Sequence, residues 1–308
     1  MTKKQRILQV TAIAVFMALL AVACGGGSDD ETAGLGDTSQ PGVSFDGEDA
    51  GVDPAPIATT APIPLVTDDA ADDAIETTDD DSSIEPVSAE NEWLTTVLHV
   101  NDDVVLIPTF DAPNGNQTTI YDINPIDNVE LEYPLLAETV FGNRLALVVD
   151  EYDSTGNWAK VFLPVRPNNT TAWVQTAFFT EETHDYHITI DLSDNKVAVY
   201  KGEVELLNQL AVSGRDGRET PVVRSYIDEM IPGADLSPAY GDWVLSIAAF
   251  SEALGTFGGG MPKLALHGTN QPELMGQYVS SGCVRIPNEV VSFIADTVPV
   301  GTIVDIIQ

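Results

Sequence analysis

The sequence predicts a mostly β protein, with two small β domains in series behind a long acidic linker. Three observations predict this. Residues 93–182 hold short apolar runs separated by turn signals, with no sustained helical period. Residues 184–308 repeat that pattern with hairpin spacing and a single helical stretch. Residues 25–92 carry nineteen acids, no Lys or Arg, and almost no aromatic side chains. Such a segment cannot bury enough apolar surface to offset its ordering entropy, so it reads as a disordered linker. At 308 residues the chain has room for about two folded domains.

The chain opens with Lys3, Lys4 and Arg6, followed by an almost wholly apolar run from Ile7 to Ala23. Small residues then lead into Cys24 in "LLAVAC", and polar "GGGSDD" follows. This predicts a signal peptide over residues 1–23. The stretch resembles the lipobox of bacterial lipoproteins, although Ala21 stands where Leu is usual. The resemblance implies that Cys24 is lipidated after cleavage and that the linker, residues 24–92, is lipid-anchored. The alternative is a plain transmembrane anchor, for which the apolar run is short. Both readings place the rest of the chain outside the cytoplasm. As a flexible coil the linker would span about 45 Å, and repulsion between its carboxylates would lengthen it.

Charge excludes some partners. The chain holds 48 acids against 13 bases, a net −35, and no basic residue occurs between Arg6 and Arg144. Nucleic acid and anionic lipid head groups would both be repelled. The only two cysteines are Cys24 and Cys283. An exported chain with two cysteines invites a disulfide. Lipid on Cys24 would remove that option and leave Cys283 as a thiol.

Within residues 93–183 the expected strands are "TVLHV", "VVLIPTF", "RLALVVDEY", "WAKVFLP" and "TAWVQT", with turns at "APNGN" and "STGNW". These suggest a small β-barrel or sandwich whose core includes Trp93, Trp158 and Trp173. "NWAKVFLPVRPNNTTAWV" resembles the bacterial SH3-like modules that precede catalytic domains in actinobacterial wall enzymes.

Residues 184–308 form the second expected domain. "HITIDLSDNKVAVYKGEVELLNQLAVSG" reads as two or three strands with a turn at Lys201-Gly202. "KLALHG" is a further strand, and "GTIVDII" closes the chain. "NEVVSFIADTV" reads as a helix with Asn288 as N-cap and Val290, Val291 and Ile294 as its apolar stripe. "HDYH" places His184 and His187 at metal-pair spacing but with no clear third ligand, and is read as the domain junction. The loop "TFGGGMP", 256–262, fits the edge of a lid or a solvent turn equally well.

The chemistry concentrates in "LALHGTNQPELMGQYVSSGCVRIPN". Strand alternation puts Leu264 and Leu266 on one face, and Ala265 and His267 on the other. If 281–286 is also extended, Ser281, Cys283 and Arg285 share a face while Val284 and Ile286 take the opposite one. The apolar residues then anchor both strands and the polar groups line a cleft. A free thiol of pKa near 8.5 is only a few per cent ionised at neutral pH, and an adjacent imidazole accepts its proton and stabilises the pair. The protonated His267 can return that proton to a leaving amine. Arg285 offers charge to a substrate carboxylate or to the thiolate, or serves a structural salt bridge. Gly268 and Gly282 leave room for a substrate backbone. Backbone N–H groups near Gly282 and Cys283 are candidates for an oxyanion hole. Ser280 and Ser281 are candidates for the same substrate-facing rim or for holding the turn.

"HGTN…SSGCVR" resembles the catalytic motif of the L,D-transpeptidases, whose domain is called YkuD-type. "ETP" at 219–221, "LSIAAF" at 245–250 and the terminal "VPVGTIVDI" support it. The resemblance implies an L,D-transpeptidase-type β-sandwich or barrel over residues 184–308. It implies Cys283 as nucleophile, His267 as general base, and the Gly268 carbonyl as the group that orients the imidazole. It also implies a reaction on peptidoglycan: attack after the third residue of a tetrapeptide stem, release of D-alanine, and a 3→3 cross-link to a neighbouring stem. Such enzymes serve cell-wall building and cell shape and are carbapenem targets; neither metal nor other cofactor is implied. With water as acceptor the same fold would act as an L,D-carboxypeptidase.

Two departures stand out. Ser281 occupies a position where the family often has His, and "TPVVRSY" carries Val223 where Gly is frequent. They motivate the competing reading of a catalytically silent wall-binding lipoprotein. A papain-like protease is disfavoured because its cysteine precedes its histidine in the chain.

Overall fold

The structure, a computed structural model, describes residues 93–139, 141–257 and 260–308. The expected signal peptide, Cys24 and the acidic linker lie outside these residues.

Between residues 93 and 184 the described strands are β1 (Thr95–Val100), β2 (Thr109–Phe110), β3 (Gln117–Thr118), β4 (Tyr121–Ile123), β5 (Glu130–Glu132), β6 (Ala146–Tyr152), β7 (Trp158–Phe162), β8 (Thr171–Gln175) and β9 (Phe179–His184). They build a sheet of order β3-β2-β8-β7-β6-β1-β9, with β4 and β5 as a separate hairpin. Leu98, Val100, Leu147, Val161 and Val174 alternate inward and form its core. "VVLIPTF" yields a strand only at Thr109–Phe110. Pro108 has no N–H to give a ladder, and Val105 and Leu106 are exposed.

The remaining strands are β10 (Tyr186–Asp191), β11 (Lys196–Lys201), β12 (Val204–Leu210), β13 (Ser213–Gly214), β14 (Val223–Pro232), β15 (Trp243–Phe250), β16 (Lys263–His267), β17 (Tyr278–Ser280), β18 (Val284–Arg285) and β19 (Ile303–Ile307). Eight of them form a mixed sheet of order β12-β11-β10-β19-β14-β15-β16-β18, and β13 pairs with β17 in parallel. Helix α1 (Asn288–Thr297) lays Val291 and Ile294 onto the core of this sheet. The architecture is mostly β, with one α-helix among the described residues. Among the described residues no helix is long and apolar enough to cross a membrane.

Two side chains depart from expectation. Asn288 does not cap α1: the N-cap is Pro287, and the Asn288 amide oxygen accepts from Thr269 N–H at 2.9 Å instead. The loop after His267 needs that acceptor more than the helix does. Trp158 is buried as expected, with Phe110 edge-on at 4.9 Å. Trp93, by contrast, stacks on His187 at 4.4 Å, and His187 in turn stacks on Tyr200 at 4.7 Å. Trp93 thus packs on β10 rather than in the core of the first sheet. His184 ends β9 and His187 lies in β10, so "HDYH" is the passage between the two sheets.

All described residues belong to one compact unit. Val97, Ala146 and Val148 from the first sheet share a buried cluster with Tyr226, Ala248 and Ile303 from the second. A Cβ on Gly301 would stand 2.4 Å from Val97 Cγ2, so this contact requires glycine.

Candidate active site

Strands β16 and β18 run side by side and parallel, with Leu266 opposite Val284 and His267 opposite Arg285. Leu264, Leu266, Val284 and Ile286 all enter the main core. A slip of one residue would expose them, so burial fixes the register. Their neighbours in sequence therefore face the other way. Ala265 and Cys283 pack together there with Ile231, Tyr240 and Val244. The ring of Tyr240 meets His267 edge-on at 5.0 Å. His267 and Cys283 thus share one face of adjacent strands.

His267 is fully buried. Its Nδ1 lies 2.6 Å from the Gly268 carbonyl oxygen. A carbonyl only accepts, so Nδ1 carries the proton and Nε2 is the basic nitrogen. Nε2 is buried and makes no hydrogen bond among the described residues. Burial pushes the imidazole pKa down to about 4; the Gly268 and Tyr240 backbone groups oppose this and the Arg285 charge adds to it. The ring is therefore neutral near pH 7, as a base must be. Three bonds hold its loop: Gly268 N–H to Trp243 O, Ile286 N–H to His267 O, and Thr269 N–H to Asn288. A Cβ on Gly268 would come within 2.3 Å of the Asn288 amide oxygen and 3.1 Å of Asp242 N, so a larger residue would displace Asn288 from Thr269.

Cys283 is 6% exposed. It is disulfide-bonded here. The chemistry inferred from the sequence uses its reduced form. The turn before it is tightly held. Ser280 Oγ donates to Cys283 O at 2.6 Å and accepts from Gly282 N–H at 3.1 Å. Gly282 has φ +117°, a conformation that favours glycine. The Gly282 N–H is thus engaged by Ser280, not offered to a substrate oxygen, and Ser280 is spent on the turn. Ser281 accepts from Arg218 Nη1 at 3.1 Å. Arg285 is buried, its Nε makes no hydrogen bond, and it forms no ion pair among the described residues. Burial lowers its pKa. The structural salt bridge left open for Arg285 is therefore absent from these residues.

Sequence reasoning missed two groups. Thr220, in "ETP", donates to Gly282 O at 2.8 Å and accepts from Gly214 N–H at 3.0 Å, tying two loops together beneath the nucleophile. Its signal was a Thr before Pro in a turn-rich stretch, with nothing to name its partner. Arg218 had no signal beyond its charge. Replacing Thr220 by Val keeps shape but removes both bonds. It is expected to lower Cys283 acylation about tenfold and cost about 1–3 kcal/mol, read by chemical denaturation.

A narrow cavity of about 10 Å³ adjoins Cys283, lined by Ser251, Leu254, Phe257, Pro262, Lys263, Leu264 and Ser281. A larger one, about 490 Å³, lies between the 233–243 segment and Ser292; it includes neither His267 nor Cys283. Gly241 on its wall approaches Gly268 and Thr269 closely. Among the described residues no cluster of His, Cys, Asp and Glu could hold a metal ion.

The model of the YkuD family, the L,D-transpeptidase catalytic domain, matches residues 185–306. The matched stretch takes in both His267 and Cys283. Similar proteins include the probable L,D-transpeptidase ErfK/SrfK of Salmonella typhimurium, 28% identical over 164 residues that cover 48% of this chain and 52% of that one. The Escherichia coli protein of the same name is 27% identical over 49% of this chain and 52% of its own length. This chain spans about half the length of these curated relatives. Among solved structures, L,D-transpeptidase 3 from Mycobacterium tuberculosis, with a faropenem-derived adduct, aligns at 14% identity over 67% of this chain and 93% of that one, TM-score 0.35. An L,D-transpeptidase from Mycobacterium smegmatis aligns at 15% identity over 52% and 81%, TM-score 0.33.

Proposed function

We propose that this chain is an exported peptidoglycan L,D-transpeptidase with Cys283 as nucleophile and His267 as general base. One observation carries the reading: a buried imidazole whose Nε2 makes no hydrogen bond among the described residues shares a strand face with the only cysteine in residues 185–306. In the reduced enzyme, His267 Nε2 takes the Cys283 proton. A thiolate beside the ring favours imidazolium and so opposes the effect of burial. The thiolate attacks the carbonyl of the third stem residue. His267 returns the proton to the leaving D-alanine amine as the carbon–nitrogen bond breaks, and a thioester remains. The amine of a second stem attacks the thioester, His267 takes its proton, and sulfur leaves as thiolate. One amide is broken and one is made, so the exchange needs no external energy source. Arg285 and Arg218 supply positive charge beside the nucleophile for substrate carboxylates.

Incubation of reduced protein with disaccharide-tetrapeptide tests this. Dimers linked 3→3 with loss of one D-alanine are expected by mass analysis; tripeptide alone would assign a carboxypeptidase, and unchanged tetrapeptide a silent wall-binding protein.

We further read residues 1–23 as a signal peptide, Cys24 as lipidated, residues 24–92 as an anchored spacer and residues 93–183 as an SH3-like module. Lipid on Cys24 also bars its sulfur from any disulfide and so keeps Cys283 reduced. Replacing Cys24 by Ala is expected to move the protein from the membrane fraction to the soluble extracytoplasmic fraction, since acyl chains supply the attachment. Retention at the membrane would favour a spanning anchor.

A further inference from the structure

The segment that follows β15 begins one side of the cavity at Cys283: Ser251, Leu254 and Phe257 all line it. Ser251 N–H donates to Pro262 O at 2.8 Å and Phe257 pairs with Gly260 at its two ends. Between these, its side-chain anchors come from the loop between β7 and β8.

Asn168 pairs with Phe250 as a strand would: its amide oxygen accepts from Phe250 N–H at 2.9 Å and its amide nitrogen donates to Phe250 O at 3.0 Å. Five residues later, Arg166 Nη1 donates to Gly255 O at 2.7 Å. Arg166 is itself immobilised. Its Nε lies 2.9 and 3.2 Å from the two Asp122 oxygens, its Nη2 lies 2.6 Å from Asp122 Oδ2, and its backbone N–H lies 3.0 Å from Asp122 Oδ1. The two side chains are 6% and 3% exposed. Hydrogen bonds 82 and 89 residues apart in sequence thus bracket the segment. The packing between them is close. A Cβ on Gly255 would stand 3.0 Å from Asn124 Nδ2 and 3.4 Å from Ile126 Cβ, both in the β4–β5 hairpin.

Stability alone accounts poorly for this arrangement. A buried ion pair costs desolvation that its attraction barely offsets, and an apolar pair of similar volume often does as well. What a guanidinium adds is geometry. Its planar fork, once two sides are fixed on Asp122, aims the third donor along one direction. Here that direction ends on the backbone of a segment that walls the nucleophile.

We infer that Arg166 and Asn168 are positioning residues of the active site, so that the first β domain is a built part of the catalytic centre and not only a spacer. They hold Leu254 and Phe257 where the substrate acyl group must lie against Cys283. The inference rests on the proposed reaction at Cys283.

The test uses the reduced full-length chain and a carbapenem, ertapenem, as acylating probe. The saturating first-order rate and the final acyl stoichiometry are both read by intact mass. Asn168→Ala and Arg166→Lys are compared with the parent. Each is expected to slow saturating acylation at least about tenfold, since small misplacements of a reacting group carry large rate costs. Because the rate is read on molecules that do react, partial misfolding lowers the stoichiometry but not the rate constant. The pH midpoint of iodoacetamide alkylation is expected to stay with the parent, because neither variant touches His267. Unchanged saturating rates in both variants would overturn the inference, as would a slowing fully explained by a shifted alkylation midpoint. A parent protein that takes no acyl mass would overturn the transpeptidase reading itself, a result separable from either of these.

Discussion

Replacing Cys283 by Ala is expected to lower 3→3 cross-linking by purified enzyme about 10⁴-fold or more, to the uncatalysed background. The covalent route divides one difficult amide exchange into two easier steps, and without sulfur neither step has a nucleophile. Other groups nearby do not substitute. Ser281 accepts from Arg218, and Ser280 is held by Cys283 O and Gly282 N–H. The loss would not be a folding defect. Cys283 contributes one small side chain to a minor cluster with Ala265, Tyr240, Val244 and Ile231. Trimming it should cost only about 1 kcal/mol, which thermal unfolding would register as a small shift. The same variant should take no acyl mass from a carbapenem, whereas the parent should take one equivalent. Cross-linking that persists in Cys283→Ala would end the cysteine mechanism.

The second large effect is expected from His267→Asn. Asparagine can still donate to the Gly268 carbonyl, so the loop keeps its bond, but it offers no base. A loss of roughly 10²–10⁴-fold in acylation is expected, the usual contribution of a positioned acid–base group. The pH dependence of alkylation separates this from a packing defect. In the parent, iodoacetamide should react with Cys283 well below pH 8, through the thiolate of the ion pair; in His267→Asn the midpoint should rise towards that of an ordinary thiol. Stability carries the opposite signature. The folded-state pKa of His267 lies near 4, below its unfolded value of about 6.5, because burial disfavours the imidazolium. In the oxidised protein, where no thiolate faces the ring, both states are neutral at pH 7 and nothing is lost. As pH falls through 6.5 the unfolded chain takes up a proton that the folded one refuses, and stability falls until the folded group titrates near 4. The full effect is about 3 kcal/mol. His184 and His187 are lowered by burial too and act in the same direction. Denaturation at pH 7 and pH 5 should therefore show a smaller drop for His267→Asn than for the parent. An equal drop in both would show that His267 is not held neutral by burial.

What was legible in the sequence was what repeats over short distances. Apolar residues at alternate positions in "KLALH" and "CVRI" declared which side of each strand would be buried, because a strand has only two faces. His267 and Cys283 fell on the remaining face as a consequence, and the flanking glycines marked where backbone must pass close. The acidic, aromatic-poor stretch 25–92 and the apolar start are matters of composition, and they lie outside the described residues.

Only the folded chain decided the partners. The parallel register of β16 and β18, the edge-on contact of Tyr240 with His267, and the tie from Thr220 to Gly282 each join segments far apart in sequence. So does the reach of Arg166 to Gly255. Asn288 shows the limit most clearly: a residue that local rules assign to a helix cap accepts instead from the Thr269 N–H donor across the loop. Such contacts leave no period in the sequence. They are fixed by which buried donors and acceptors must find one another once the two sheets have closed over their apolar faces.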